Sequence, residues 1–167
     1  MEVISTQLKG VHVLKPCTIF EDFRGDYVEI YNKELYFSAG IDTEFVQDDY
    51  STSTKHVLRG FHGDNLTAKL IKCLHGTLYS VIVNNDPESD EYKKWTSFTL
   101  SSTNRKQVFI PPKFGNAFLV LSDTAVFHYK QSTYYGHEQF TIKWNDPDYN
   151  FWWPLQNPIT SLRDSND

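Results

Sequence analysis

Between Val57 and Asp64 the chain reads Val-Leu-Arg-Gly-Phe-His-Gly-Asp, which sets the Arg59 guanidinium and the His62 imidazole three residues apart around Gly60. An imidazole titrates near neutral pH and can take up and return a proton, while a guanidinium holds anionic groups in a fixed fork. On a regular strand positions 59 and 62 face opposite ways. Both line one cavity only if the strand bulges, and Gly60 is where a bulge costs least. The same spacing suits a structural arginine and a satisfied surface histidine, and the residues alone leave both readings open. Metal chemistry lacks its usual pattern: the six histidines stand at 12, 56, 62, 75, 128 and 137 with no His-x-His pair, whereas ligand sets need clustered His, Cys or carboxylates. No Gly-rich run precedes a helix to cradle a phosphate, and no Gly-x-Ser-x-Gly elbow offers a nucleophile. Acid–base chemistry without a metal or other cofactor fits better.

Such side chains need a rigid frame, and the sequence points to strands. The 4 Trp, 10 Tyr and 12 Phe among 167 residues favour sheet over helix, and short β-branched and aromatic runs separated by turn residues predict an all-β sandwich or barrel. The clearest runs are Lys69 to His75, Thr77 to Val83, Gln107 to Ile110, Ala117 to Leu121 and Ala125 to Gln131. Gly76 and Ser122-Asp123-Thr124 read as hairpin connections. One short helix is expected over Lys33 to Ala39, with Asn32 as N-cap and Gly40 at the C′ position. Asn84 to Lys94 is polar and turn-rich, a surface excursion. Alternation groups Lys69 with Ile71 and Cys73, and Lys72 with Leu70 and Leu74, so one of the two lysines points into the barrel. By the same rule Tyr129 shares a face with Phe127 and Gln131, while His128 and Lys130 take the other.

The length suits a single domain over 1–167 with a real core. Sixteen Lys+Arg against 21 Asp+Glu give a formal charge of -5 and no basic run, which argues against nucleic acid. Neither an apolar stretch long enough for a membrane span nor an export leader is visible. Cys17 and Cys73 suit a reducing compartment, so a cytoplasmic location is expected.

Eight blocks, in order, resemble the nucleoside-diphosphate-4-keto-sugar 3,5-epimerases. They are Asp22-Phe23-Arg24-Gly25 with Tyr27 and Glu29; Gln47 to Ser51; Val57 to His62; Lys69 before a strand; Phe118 to Asp123; Tyr129-Lys130 with Tyr134-Tyr135; Trp144 to Asp148; and Trp153-Pro154. The resemblance runs from about Asp22 to Asp164. It implies a cupin-type jelly-roll barrel with short peripheral helices, metal-free and homodimeric, with the N-terminal part of one subunit against the active site of the other. Carried over by position, His62 is the general base, Asp164 its orienting partner, Tyr129 the general acid and Lys69 the cation that steadies the enolate. Arg24, Glu29, Gln47, Arg59 and Arg163 match positions that hold sugar hydroxyls and diphosphate, and Asp49 and Tyr135 join that substrate-binding set. Taken alone, Tyr129 is as readily a core tyrosine, and Arg24 with Glu29 a surface ion pair.

The chain also departs from the family pattern. Where the family has Gly-Phe-Ala-His-Gly-Phe, it reads Lys113-Phe114-Gly115-Asn116-Ala117-Phe118, placing Asn116 where a histidine is usual. The loop from Gly63 to Ala68 is short, and Asp49 replaces a common asparagine. His-Gly-Asp with Pro-Pro-x-x-Gly-Asn is similar to a branch acting on GDP-linked 4-keto-heptoses in capsule biosynthesis. The resemblance therefore favours a GDP-4-keto-heptose, with Asp64, Asn65 and Asn116 as polar partners for its glycerol arm. The alternatives are a dTDP-4-keto-6-deoxyhexose 3,5-epimerase, an epimerase of one centre only, a sugar-binding module without activity, and a structural dimer.

Overall fold

The computed structural model describes residues 1–165. It contains thirteen strands and one helix: β1 (Glu2–Ser5), β2 (His12–Lys15), β3 (Ile19–Asp22), β4 (Gly25–Val28), α1 (Lys33–Ser38), β5 (Gln47–Thr54), β6 (Leu58–Gly63), β7 (Lys69–His75), β8 (Thr77–Asn84), β9 (Trp95–Ser101), β10 (Gln107–Ile110), β11 (Phe114–Val120), β12 (Thr124–Gln131) and β13 (Phe140–Ile142). They form a six-stranded sheet in the order β1-β2-β10-β7-β12-β5, a five-stranded sheet in the order β13-β6-β11-β8-β9, and a small β3-β4 ribbon. The architecture is the expected all-β, cupin-type jelly roll.

Both connections read as hairpins are instead crossings between sheets. β7 lies in the six-stranded sheet and β8 in the five-stranded one, and β11 and β12 are divided the same way. One glycine cannot close an antiparallel pair, but at φ +78° it turns a strand sharply into the facing layer. The two crossings nest: a Cβ on Gly76 would meet Thr124 O at 2.2 Å and Ser122 Oγ at 2.3 Å, so only glycine fits the corner. Thr77 N donates to Ser122 Oγ (2.9 Å) and fastens one crossing to the other.

Alternating residues of the two sheets meet in a core that includes Ile71, Cys73, Leu78, Ile82, Phe118 and Phe127. The outer faces are covered too, which explains the nearly continuous apolar runs. Phe151 and Trp153 from the C-terminal segment pack on Phe61, Val81 and Leu119 behind the five-stranded sheet. Tyr36 and Ile41 cover Leu14 and Leu70 behind the six-stranded one. α1 starts where the sequence indicates: Asn32 Oδ1 accepts from the amides of Glu34 and Leu35, and Gly40 follows the helix at φ +88°.

Lys69 is the lysine that points inward, alongside Ile71 and Cys73. Lys72 points outward yet is only 3% exposed, because residues 29–46 lie over it and Ile30 O accepts from its Nζ at 2.9 Å. Desolvation pushes its pKa down to about 7. Alternation separates the two faces of a strand but does not reveal a second layer behind one of them. No helix among the described residues is long and apolar enough to cross a membrane.

Candidate active site

A cavity of about 500 Å³ opens between the sheets at one end of the barrel. Arg59 and His62 reach it from β6, Asn116 and Phe118 from β11, Lys69 from β7, and Phe127 and Tyr129 from β12. Arg59 and His62 share it because the strand does bulge. Asn116 stands opposite His62 and Phe118 opposite Arg59, so β6 carries an extra residue between these pairs.

The C-terminal segment completes the wall. Val57 and Ile159 form a parallel bridge, with Leu58 N donating to Ile159 O and Ile159 N to His56 O, both at 2.8 Å. This brings Asp164 Oδ1 to 3.0 Å from His62 Nε2. The other carboxylate oxygen accepts from Gly60 N (3.1 Å) and Ser161 Oγ (3.0 Å). Gly60 therefore serves two purposes. It eases the bulge, and it leaves room for the carboxylate, since a Cβ there would stand 2.6 Å from Asp164 Oδ1. Position 161 carried a readable signal, because Ser-x-x-Asp commonly closes a local side-chain turn.

Burial lowers the His62 pKa. Asp164 opposes that shift, whereas Arg163 and Lys69 reinforce it. The ring is thus neutral at neutral pH. With the proton on the Asp164 side, the lone pair sits on Nδ1, which is buried and has no partner among the described residues. Lys69 Nζ donates to His62 O (2.9 Å) and to Asn116 Oδ1 (3.0 Å), and desolvation brings its pKa down to about 8. Burial raises the Tyr129 pKa, as does nearby Asp49, so its hydroxyl keeps its proton. His62 and Tyr129 belong to opposite sheets and approach the cavity from opposite walls.

The other sequence-indicated residues divide into three groups. Arg59, Tyr135 and Arg163 line the cavity; Arg59 Nε donates to Ser53 Oγ (3.1 Å), and Arg163 is steadied by Gln139 Oε1 (3.3 Å) and Thr141 Oγ1 (3.2 Å). Gln47 and Asp49 stand behind it. Asp49 Oδ2 accepts from Gln47 Nε2 (2.7 Å) and Gln131 Nε2 (2.9 Å), and Gln47 Oε1 accepts from Tyr135 N (2.8 Å). Gln131 also lines the cavity, on the Tyr129 face as alternation along β12 requires.

Arg24 and Glu29 do not reach the cavity of their own chain. Arg24 is bound to Asp22 (2.6 Å) on the β3-β4 ribbon with its side chain 77% exposed, and Glu29 accepts from Thr18 and Asn32. Asp64 and Asn65 are also absent from the lining. The Asp64 carboxylate is consumed by the amides of Leu66 (2.8 Å) and Thr67 (2.6 Å) and by the Thr67 hydroxyl (2.7 Å), a buried turn that pins the short loop, while Asn65 faces solvent. Among the described residues no group of three or more His, Cys, Asp and Glu is placed to share a metal ion.

Residues 5–167 match the family model described as dTDP-4-dehydrorhamnose 3,5-epimerase. The chain belongs to this family. A dTDP-4-dehydrorhamnose 3,5-epimerase of Shigella flexneri is 39% identical over 99% of this chain and 94% of its own length. Among solved structures, the dTDP-6-deoxy-D-glucose-3,5-epimerase of Legionella pneumophila, in complex with dTDP-4-keto-L-rhamnose, superposes with a TM-score of 0.92 at 34% identity, covering 98% of this chain and 89% of that one. The dTDP-4-dehydrorhamnose 3,5-epimerase of Bacillus anthracis, with TDP and PPi bound, gives a TM-score of 0.93 at 33% identity, covering 98% and 95%. The protein is accordingly a nucleotide-sugar epimerase, an isomerase acting on a nucleotide-linked 4-keto sugar.

Proposed function

We propose that the enzyme inverts C3 and C5 of a dTDP-linked 4-keto-6-deoxyhexose. The observation that carries the proposal is the placement of a neutral imidazole and a protonated phenol on opposite walls of one cavity with an ammonium between the sheets. The C4 ketone acidifies the hydrogens at C3 and C5. His62, which lines the cavity, removes such a proton, and the electron pair of the C–H bond moves onto the C4 oxygen as an enolate. The Lys69 ammonium stabilises that oxygen, an effect worth on the order of 3 kcal/mol per donor in a water-poor site. Tyr129 then returns a proton to carbon from the opposite face, which inverts the centre. Solvent restores the tyrosine proton and removes the one held by His62, so the cycle is balanced without a cofactor. Asp164 holds the imidazole in the productive tautomer and stabilises its charged form.

A GDP-linked heptose is not supported by the relatives, which are named for dTDP sugars. The cavity gives a physical reason for preferring the hexose. Of the three polar groups expected to receive a glycerol arm, Asp64 is spent on its own loop and Asn65 faces solvent, which leaves Asn116 alone of the three in the cavity. The remaining surface near Phe118, Phe127 and Val57 suits a methyl group. The proposal includes a homodimer in which Arg24 and Glu29 serve the neighbouring site, since both are remote from the cavity of their own chain.

The test is proton exchange in deuterated water with dTDP-4-keto-6-deoxyglucose and a GDP-4-keto-heptose in parallel. Deuterium should enter C3 and C5 of the dTDP sugar faster. Faster labelling of the heptose would overturn the substrate assignment, and labelling at one carbon alone would reduce the enzyme to a single-centre epimerase.

A further inference from the structure

The Lys69 ammonium has three N–H donors. Two are fixed by His62 O at 2.9 Å and Asn116 Oδ1 at 3.0 Å. Lys69 lines the cavity, so its third N–H is the one left for a ligand there. The contact also fixes the Asn116 amide. An ammonium only donates, so the amide must turn its oxygen toward Lys69 and its Nδ2 away. Asn116 lies on the inner face of β11 and lines the same cavity, and its Nδ2 has no acceptor among the described residues. That nitrogen is not among the buried unpartnered atoms either, so it opens onto accessible space. Two adjacent side chains, already bonded to each other, thus each keep one free donor at the same place.

We propose that Lys69 Nζ and Asn116 Nδ2 form a two-donor cradle for the C4 oxygen, making Asn116 a catalytic residue that stabilises the enolate. The inference rests on the epimerase reading above and assigns to Asn116 a role distinct from gripping a sugar hydroxyl. An amide suits the role because it positions the ammonium without neutralising it, and because the same contact orients its own donor before substrate arrives, so no reorganisation is needed as charge develops. The cradle has a specific kinetic consequence. Enolates formed toward C3 and toward C5 share the C4 oxygen, so loss of the Asn116 donor must slow exchange at both carbons by a common factor.

Asn116→Ala removes the whole group; Asn116→Asp keeps an oxygen against Lys69 and the shape of the side chain but removes the Nδ2–H donor and adds a negative charge that offsets the ammonium. Each should lower kcat by about 10²- to 10³-fold, the usual loss for one donor of such a pair, with KM within a few-fold of wild type. Deuterium incorporation at C3 and C5 should fall together. The thermal midpoint of each variant reports whether it folds, and the alanine variant carries the test if the aspartate variant does not. A raised KM with unchanged kcat, or slowing at only one carbon, would show that Asn116 binds a substituent and would overturn the cradle while leaving the epimerase reading in place. Absence of exchange in the wild type would remove both.

Discussion

A methyl group added at Gly60 would stand 2.6 Å from Asp164 Oδ1 and 2.8 Å from its carboxyl carbon. Gly60 is not among the residues with positive φ, so alanine fits the backbone and the perturbation is purely steric. Ordinary contact begins near 3.4 Å, so the carboxylate must retreat by about 0.8 Å, a displacement of the size that costs roughly 10²-fold when it misplaces catalytic groups. Asp164 would then lose its grip on both His62 and the Gly60 amide. The expected result for Gly60→Ala is a fall in kcat of about 100-fold, or about 2.7 kcal/mol of transition-state stabilisation, with little change in KM. Turnover and C3/C5 labelling in deuterated water measure it. The decisive control is Gly60→Ala combined with Asp164→Ala. Once the carboxylate is gone the close contact left is the Cβ of residue 164 at 3.2 Å, which a shift of a few tenths of an ångström relieves, so the double variant should come close to Asp164→Ala alone rather than add to it. Wild-type turnover in Gly60→Ala, or full additivity in the pair, would refute the claim that Asp164 acts on His62 from the volume that glycine leaves free.

The rate should follow a bell-shaped pH profile: its acid limb lies below the ordinary histidine range because burial lowers the His62 pKa, and its alkaline limb falls near pH 8, where Lys69 loses its proton. An alkaline limb near 10 would assign it to a different group. Lys72→Met should raise stability at neutral pH, because the fold holds that lysine near a pKa of about 7 against 10.5 for its ordinary value, and Ile30 O keeps a donor in Gln107 Nε2 at 3.0 Å. Between those pH values the unfolded chain binds more protons than the native one, so wild-type stability should rise with pH and the variant should lose the part of that rise beginning near 7; a thermal midpoint measured across pH 6–10 checks the sign. Mixed dimers of Arg24→Ala and His62→Asn subunits should recover about a quarter of wild-type activity, because half the dimers then contain one intact site. No recovery on mixing would place Arg24 outside the partner's site.

Local patterns carried much of the frame into view from the sequence. Lys69–His75 and Gln107–Ile110 are strands at the expected residues, and Asn32 caps the expected helix, because propensity, alternation and capping are short-range effects. The bulge at Gly60 was also legible, since two functional side chains three apart cannot otherwise share a face. The readings that failed did so for both remote and local reasons. Gly76 looked like a hairpin turn because nothing local shows that the next strand belongs to the facing sheet. Asp64 was read as a sugar partner although its carboxylate closes a local turn on the Leu66 and Thr67 amides and the Thr67 hydroxyl, two and three residues on. Alternation showed that one of Lys69 and Lys72 faces the barrel interior but not that the other is buried too, because the layer over Lys72 is contributed by residues remote from its strand.

The two sheet crossings have a consequence for how quickly the enzyme can assemble. Because the chain changes layers at Gly76 and again at Ser122–Thr124, neither β7-β8 nor β11-β12 forms a local hairpin that could nucleate the barrel. β12 must instead find β5 and β7, and β6 must find β11, so chain closure over long loops precedes most of the stabilising burial. Such topologies fold in milliseconds to seconds rather than microseconds. The cavity draws its walls from β6, β7, β11, β12 and the C-terminal segment, and therefore exists only after these distant pairings are made. Recovery of turnover during refolding should accordingly lag behind the recovery of sheet content and report the last long-range docking event.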